Sequence, residues 1–303
     1  MNDSVRFELF AKLRPLSLLH SMSTLVSVFM LTSCAIFDRE EPIPSYVGVS
    51  QLDLQTTYQV EGSNSHAITD CWLYVDDELI GVFEPPFAAP VLAEGQSKVE
   101  LRAGIKKNGI AASRVAYPFF RPFVDDSSLV LNPESEHILT PSFEYLPSVN
   151  FVWKEDFEDL SLSLRNASGF QSDLNLERSN QAFEGSGFGL VELNSSAASF
   201  KAYNSDPVVL PQFGAEVYLE MDYRCDSEFE VGYKVNYARG GVFEQSMVIL
   251  NPTSAWRKIY IELGEEVSEE TNALSFEIFF LGFLPDSMNQ SEIAIDNLKL
   301  VHE

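Results

Sequence analysis

The feature that most constrains the fold of this chain is a two-residue alternation of apolar and polar side chains, which recurs in short runs along most of its length. The clearest run is AEVYLEMDYR, in which Val217, Leu219 and Met221 alternate with residues of a more polar face. Such runs are bounded by Gly, Pro, Asn, Asp and Ser, which is typical of antiparallel strands. No long amphipathic helical pattern follows the N-terminal segment. The alternation therefore predicts an all-β protein.

Length and composition predict two domains with buried cores. The chain has 303 residues, of which 45% are hydrophobic and 12% aromatic, and this length exceeds that of a usual single domain. Acidic residues outnumber basic ones by 45 to 20, so the formal net charge is -25. Such a charge repels nucleic acid phosphates, which excludes nucleic acid as a partner. The excess of negative charge keeps the protein soluble or, alternatively, attracts divalent cations.

We place the first domain at residues 46–147 and the second at residues 148–303. Within the first, Asp76-Asp77 and Asn108-Gly109 predict tight turns between strands. The stretch LYVDDELIGVFEPPFAAPVLAEG runs from strand to turn, short strand, prolines and glycine. It resembles PEGA-type and other immunoglobulin-like modules of bacterial surface proteins. The resemblance implies an immunoglobulin-like β-sandwich that acts as a spacer or contact surface.

The second domain begins with FVWKEDFEDLSLSLRNAS and ends with SEIAIDNLKLVH. This order resembles the jelly-roll β-sandwich of MAM domains, galactose-binding domains and many carbohydrate-binding modules, in which the opening and closing strands pair. The cysteines that form MAM disulfides are absent. Cys71 and Cys225 fall in different predicted domains, so we expect each to be a buried free thiol.

The N-terminal segment predicts where the protein is located. A weakly basic start is followed by SLLHSMSTLVSVFMLTS, which is too short and too polar for a comfortable membrane span but suits a secretory signal. The next residues, Leu31-Thr32-Ser33-Cys34, resemble the lipobox of bacterial lipoproteins. The resemblance implies that residues 1–33 are a signal peptide, that Cys34 is acylated, and that residues 34–45 form a tether. An uncleaved anchor or a plain secretory signal is the alternative.

The tether carries a second signal. Ala35 is not the aspartate that retains lipoproteins in the inner membrane of well-studied didermal bacteria. The acidic cluster Asp38, Glu40 and Glu41 resembles the export signal of surface lipoproteins in the Bacteroidota. These resemblances imply a lipid-anchored protein at the outer membrane or cell surface. A solvated tether stiffened by prolines is an equally open interpretation.

One strand face of the second domain is a candidate ligand-binding surface. Aromatic rings stack on the apolar faces of sugars, while carboxylates, guanidinium groups and amides bond the hydroxyls. Glu230, Lys234 and Asn236 lie on a similar polar face of EFEVGYKVNY. Any half-exposed antiparallel sheet shows the same pattern, and core or rim packing is the alternative for the tryptophan in SAWRKIYIEL. The candidate residues are Tyr218, Glu220, Asp222, Arg224, Trp256 and Tyr260.

Carboxylates at the two ends of the second domain are candidate calcium ligands. Glu155, Asp156 and Glu158 follow its first strand, and Asp296 lies on its last. Calcium takes six to eight oxygen ligands, which paired first and last strands can bring together. Resemblance to jelly-roll carbohydrate-binding modules implies a structural Ca²⁺ with Glu158 and Asp296 as first candidates. A solvated acidic end is the alternative.

Catalysis has little support in the sequence. No nucleophile elbow, zinc-protease motif or phosphate loop occurs, and the histidines after the signal are only His66, His137 and His302. We therefore expect a non-catalytic, lipid-anchored protein that recognises a glycan or an envelope protein. An accessory lipoprotein of an outer-membrane complex is the alternative, and would bury the candidate aromatics. A glycan-active enzyme comes third, and needs two carboxylates facing each other across a cleft.

Overall fold

A computed structural model describes residues 41–125 and 129–303. Within this part, Pro44–Glu303 form one compact unit. Cys34 and the acidic residues Asp38 and Glu40 lie outside the described residues, so their predicted roles stay predictions. No helix in the described part has the length and apolar character that a membrane crossing requires.

Short strands dominate the described chain, as the alternation predicts. The first half contains one helical turn, α1 (Tyr58–Glu61). Its strands are β1 (Ser45–Val49), β2 (Asp53–Leu54), β3 (Asp70–Val75), β4 (Glu78–Phe83), β5 (Phe87–Val91), β6 (Gly95–Ser97), β7 (Val99–Lys106), β8 (Arg114–Ala116), β9 (Phe123–Val124), β10 (Leu129–Leu131), β11 (Glu136–Leu139) and β12 (Ser142–Phe143).

The second half has longer strands and one further helix, α2 (Gly264–Glu269). Its strands are β13 (Asn150–Glu155), β14 (Leu164–Asn166), β15 (Leu174–Arg178), β16 (Gly187–Asn194), β17 (Ser199–Asn204), β18 (Val217–Cys225), β19 (Phe229–Tyr237), β20 (Val242–Leu250), β21 (Thr253–Glu262), β22 (Ala273–Phe283) and β23 (Gln290–His302).

The first half is a small β-sandwich. One sheet has the order β4-β3-β7-β8, with β9 also paired to β7, and the other has the order β11-β1-β5. Inward side chains of both sheets, such as Val47, Leu73 and Leu101, share one hydrophobic core. The predicted turn at Asp76-Asp77 joins β3 to β4, and both residues have positive φ, at 49° and 67°. These are the angles of a tight hairpin turn.

The second half is a jelly-roll sandwich of two antiparallel sheets. The open sheet has the order β14-β17-β22-β19-β20, and the covered sheet has the order β15-β16-β23-β18-β21, with β13 also paired to β23. The pairing of β13 with β23 joins the opening and closing strands, as predicted. The alternation correctly places Val217, Leu219, Met221 and Tyr223 in the core between the sheets. Cys71 and Cys225 are buried and free, also as predicted.

The first half packs on the outer face of the covered sheet. Tyr218 and Tyr260 belong to the first hydrophobic core, although they lie on strands of the second half. The ring of Tyr117 contacts both, at centroid distances of 5.2 and 4.9 Å. At the edge of this contact, the Asn108 backbone N–H donates to the carbonyl of Tyr260 at 2.9 Å. The sandwich of the first half is therefore packed against one sheet of the jelly roll within the compact unit, and the predicted boundary at residue 147 stays a prediction.

Charged side chains are buried at this contact. We call Glu220, Asp222, Lys258 and Lys299 the interface cluster; their side chains are nearly or fully inaccessible to solvent. Glu220 accepts hydrogen bonds from the hydroxyls of Tyr117 at 2.7 Å and Tyr145 at 2.9 Å, which both belong to the first half. The Lys258 ammonium lies 3.7 Å from Glu220 and 3.8 Å from Asp222.

Two residues of the interface cluster, Lys299 and Asp222, form hydrogen bonds with the segment that follows α1. The Lys299 ammonium donates to the carbonyl of Ser63 at 2.5 Å, and the Ser65 hydroxyl donates to Asp222 at 2.8 Å. Burial lowers the pKa of Lys299 to about 8. Buried charges are tolerated only when they are paired and hydrogen-bonded. Glu220, Asp222 and Lys299 therefore bind the two halves to each other through these hydrogen bonds, and Lys258 offsets the charge of the two carboxylates.

We expect Glu220→Ala to destabilise the protein by about 3–5 kcal/mol. The substitution leaves two buried tyrosine hydroxyls without their acceptor and leaves Lys258 with only one neighbouring carboxylate. Equilibrium urea unfolding of the wild type and the variant measures this free energy. Glu192→Ala, which removes an exposed carboxylate from the same sheet, is the control and should change stability by less than about 0.5 kcal/mol. A Glu220 variant as stable as the control would contradict the assigned role.

Candidate functional site

The predicted ligand-binding residues lie mostly at the buried contact between the halves. Tyr218, Glu220, Asp222 and Tyr260 are at most 3% exposed. The alternation correctly separates them from the core face of their strands. The expectation that their face is open to a ligand is wrong, because the first half covers it. Their hydrogen bonds and ring contacts serve this packing.

The two remaining candidates, Arg224 and Trp256, lie at the rim. The Trp256 indole N–H donates to the carbonyl of Gln181 at 2.9 Å, and its ring meets those of Phe183 and Phe188 at about 6 Å. The guanidinium of Arg224 lies 5.9 Å from the tryptophan ring. Trp256 therefore packs against the β15–β16 hairpin, as the rim-packing alternative expects.

The acidic residues after β13 are engaged with the backbone. Glu155 accepts from the N–H groups of Phe157 and Ser163, at 2.9 and 2.6 Å. Glu158 accepts from the N–H groups of Ser186 and Gly187, both at 2.8 Å. Burial alone would raise the pKa of Glu158, but these hydrogen bonds outweigh it and lower the pKa. Glu158 borders a cavity of about 430 Å³ that Tyr58 and Asn297 also line.

Asp296 lies on β23 beside the interface cluster. One carboxylate oxygen accepts from the Asn297 N–H at 2.8 Å, and the other is buried without a hydrogen-bond partner among the described residues. Burial raises the pKa of Asp296 to about 8, and the nearby Asp222 carboxylate acts in the same direction. Within residues 41–125 and 129–303, no group of three or more His, Cys, Asp or Glu could hold a metal ion. A Ca²⁺ site at Glu158 and Asp296 stays a prediction.

If calcium binds at Asp296, chelation should lower the thermal midpoint of unfolding, because an ion that binds only the folded state stabilises it. Differential scanning calorimetry with EDTA and with excess Ca²⁺ measures the difference. Asp296→Asn should abolish it, whereas Asp286→Asn, on an exposed loop, should leave it intact. Equal midpoints in EDTA and Ca²⁺ for the wild type would contradict a structural calcium.

The free outer face belongs to the open sheet. Strand register places Arg165 beside Tyr203, Tyr203 beside Phe279, and Phe279 beside Gly232, in one row across four strands. A Cβ at Gly232 would lie 2.4 Å from Cζ of Phe279. Glycine at this position therefore lets the phenylalanine ring lie flat on the neighbouring strand.

A charged network surrounds this row. Glu277, which is 2% exposed, accepts from the guanidinium of Arg165, from the Lys234 ammonium at 2.6 Å and from the Asn236 amide at 3.1 Å. Burial alone would raise the pKa of Glu277, but these three donors outweigh it and lower the pKa. The carboxylate is therefore held ionised and in one position.

Two side chains of β17 reach across the sheet to β20. Lys201 and the hydroxyl of Tyr203 each lie 2.5 Å from an oxygen of Glu244, although β22 and β19 lie between these strands. Neighbouring strands are about 4.8 Å apart, so these side chains must lie flat over the sheet. The Lys201 ammonium lies 4.3 Å from the ring centroid of Phe279. We call Arg165, Lys201, Tyr203, Lys234, Glu244, Glu277 and Phe279 the charged end of the open sheet.

An apolar groove of about 500 Å³ continues the same face. Register places Leu281 and Ile249 on either side of Glu230, and Phe283, which is 54% exposed, forms a further part of the wall. Three acidic residues also line the groove, namely Asp226, Glu228 and Glu230. The outer face of the open sheet thus joins an apolar groove to the charged end.

Sequence reasoning found part of this surface. The alternation in β19 already assigns Glu230, Lys234 and Asn236 to a polar face. The alternation does not indicate Tyr203 and Phe279, because their neighbours on the sheet are set by long-range strand pairing. Arg165 lies on a strand of three residues, which is too short for an alternation to indicate it.

Comparisons with known proteins give similarity in structure only. No protein-family model matches the sequence, and no curated protein matches it. Solved structures that resemble it include the CBM22-1–GH10 modules of Clostridium thermocellum xylanase 10B complexed with xylohexaose. The sequence identity in this alignment is 14%, and the TM-score is 0.40. The alignment covers 50% of this chain and 28% of the xylanase chain. The alignment thus spans little more than a quarter of that xylanase chain.

Two isolated modules are also similar. A xylan-binding CBM22 domain aligns with 14% identity over 52% of this chain and 97% of its own, at a TM-score of 0.36. The family 11 carbohydrate-binding module of Clostridium thermocellum Lic26A-Cel5E aligns with 14% identity over 50% of this chain and 96% of its own, at a TM-score of 0.33. Similarity at this level does not bear on what this chain binds.

Proposed function

We propose that this chain is a non-catalytic binding protein whose open sheet recognises an extended glycan. The observation that carries the proposal is the asymmetry of the jelly roll. The outer face of the covered sheet packs against the first half of the chain, whereas the outer face of the open sheet combines a groove of about 500 Å³ with a fixed set of polar groups. Ligand sites commonly have this volume and this mixture of apolar walls and few polar groups.

The groove has the chemistry that a sugar ring requires. The exposed ring of Phe283 and the side chain of Ile249 offer apolar surface to sugar C–H groups. The carboxylates of Glu228 and Glu230, which line the groove, can accept hydrogen bonds from sugar hydroxyls. Because the groove and the charged end share one face of the open sheet, a ligand longer than one sugar can follow this face.

The glutamates of the charged end support binding without catalysis. A general acid for glycoside hydrolysis needs a raised pKa, so that it is protonated at working pH. The pKa of Glu277 is lowered, and hydrogen bonds from Lys201 and Tyr203 likewise outweigh burial and lower the pKa of Glu244. Both carboxylates act as acceptors that hold neighbouring donors in place.

We expect Phe283→Ala to weaken glycan binding about tenfold, because it removes the exposed ring that a sugar would stack on. A glycan array with the full chain identifies the ligand, and isothermal titration calorimetry measures the loss. Phe213→Ala is the control, because Phe213 is 90% exposed on a loop and does not line the groove. Equal losses in both variants, or no glycan bound by the wild type, would contradict the proposal.

A second candidate function, that of an accessory protein in an envelope complex, has one observation in its favour. Tyr218 and Tyr260, which we expected at a glycan site, are buried. On the first half, Tyr46 and Ile138 are 39% and 51% exposed on the sheet formed by β11, β1 and β5. Such apolar exposure suits a protein contact. Co-purification of a stable envelope partner in the absence of glycan binding would favour this function.

We also propose that the protein is attached to the outer membrane or cell surface through acylated Cys34. Support comes from the resemblance of Leu31-Thr32-Ser33-Cys34 to a lipobox and from the apolar segment before it. A tether after Cys34 would hold the compact unit next to the membrane, where surface glycans are accessible.

Replacing Cys34 with Ser should move the protein from the detergent phase to the aqueous phase in Triton X-114 partition, because acyl chains supply the membrane affinity. Metabolic labelling with a palmitate analogue should fail in the same variant. Cys225→Ser, which alters a buried thiol, is the control and should keep both label and partition. Detergent-phase behaviour of the Cys34 variant equal to that of the wild type would refute lipidation.

A further inference from the structure

We propose that the glycan bound by the open sheet carries an anionic group, a carboxylate or a sulfate ester, which is recognised at the charged end by Arg165 and Lys234. The inference rests on the proposed function and adds a ligand class and an orientation to it. The charged end would take the anionic sugar, and the apolar groove would take its uncharged neighbours.

The charged end is locally positive, whereas the chain as a whole is strongly negative. The whole chain has a formal charge of -25 and only 20 basic residues. Three of these, Arg165, Lys201 and Lys234, surround the ring of Tyr203, at 4.5, 5.3 and 5.4 Å from its centroid. The two carboxylates of the charged end leave one positive charge unbalanced. An anion is therefore attracted to this spot and repelled by most of the remaining surface.

The balance of donors and acceptors indicates the same class of ligand. Both oxygens of Glu277 and both oxygens of Glu244 already accept hydrogen bonds. Within the described structure Arg165 uses one of its N–H groups, in the bond to Glu277, and a guanidinium has five. Lys234 likewise makes one hydrogen bond, although an ammonium has three donors. The unused groups are donors, and an acceptor-rich ligand can bind them in place of water.

These donors are held in place before a ligand arrives. The guanidinium of Arg165 stacks over Tyr203 and pairs with Glu277, which also pairs with Lys234. The Arg165 side chain is nevertheless 41% exposed and that of Lys234 18% exposed. A planar guanidinium fixed in this way can bind a carboxylate or sulfate through two N–H groups.

The other end of the surface selects against an anion. Asp226, Glu228 and Glu230 border the apolar groove, so a second anionic group there would meet three carboxylates. We infer that the recognised glycan has its anionic sugar at one end of the bound stretch and uncharged sugars over Phe283. A uniformly charged polyanion fits the surface less well.

The test is an array on which uncharged glycans are printed beside their uronic-acid or sulfated counterparts, probed with the full chain. The preferred uronic-acid ligand is then compared with its methyl ester, which removes the charge, and a sulfated ligand with its desulfated form. We expect the anionic form to bind about tenfold more tightly at about 0.02 M salt, and the difference to shrink at about 0.5 M salt.

Matched variants assign the effect to the charged end. Arg165→Gln should remove most of the preference for the anionic form, so that the variant binds the charged and uncharged forms about equally. Arg102→Gln is the control, because Arg102 stacks over Tyr74 at 4.7 Å in the first half and pairs with Glu100 in the same manner. Its preference should equal that of the wild type.

Three outcomes overturn the inference in distinguishable ways. If the wild type binds the charged and uncharged forms equally, the anionic ligand is refuted and glycan binding stands. If Arg165→Gln keeps the full preference, recognition of the anionic group at the charged end is refuted and glycan binding stands. If no glycan of either kind binds, the proposed function fails, and the inference fails with it.

Discussion

The arrangement of this molecule depends on the burial of Glu220. Its carboxylate lies on the outer face of the covered sheet and accepts hydrogen bonds from Tyr117 and Tyr145, which belong to the first half. A buried carboxylate without such donors would be strongly unfavourable. Hydroxyl groups of the first half therefore supply the hydrogen bonds that a carboxylate of the second half requires. The interface cluster therefore holds the sandwich of the first half on the covered sheet of the jelly roll.

The position of the first half determines which sheet face of the jelly roll is open to solvent. A jelly roll alone presents two sheet faces to solvent, and here the first half occupies one of them. The polar residues of that face, Asp222 and Lys258 among them, pair with each other and with the segment after α1. The open sheet keeps its outer face, and its own ion pairs cover Phe279 without any element of the first half. The open sheet is thereby the face of the jelly roll on which we propose recognition.

The sequence predicts local structure well and the site poorly, for one physical reason. Alternation is a property of a single strand, so the core residues of β18 and β19 and the turn at Asp76-Asp77 could be predicted. Exposure depends on what packs against a face, and nothing near Tyr218 in the sequence indicates Tyr117. The row from Arg165 to Gly232 likewise arises from pairing between β14, β17, β22 and β19, which single-strand patterns do not reveal.

The charged end is suited to the selective binding that we propose for this shallow sheet face. A flexible lysine or arginine loses rotamer freedom when it binds a ligand, and this loss lowers affinity. Here Lys201 is extended over Phe279 toward Glu244, and Arg165 is stacked on Tyr203, so much of that freedom is already lost in the folded protein. Gly232 makes this possible, because any side chain at its position would lift the Phe279 ring on which Lys201 rests. Rigidity at the charged end is therefore built into the backbone of the sheet.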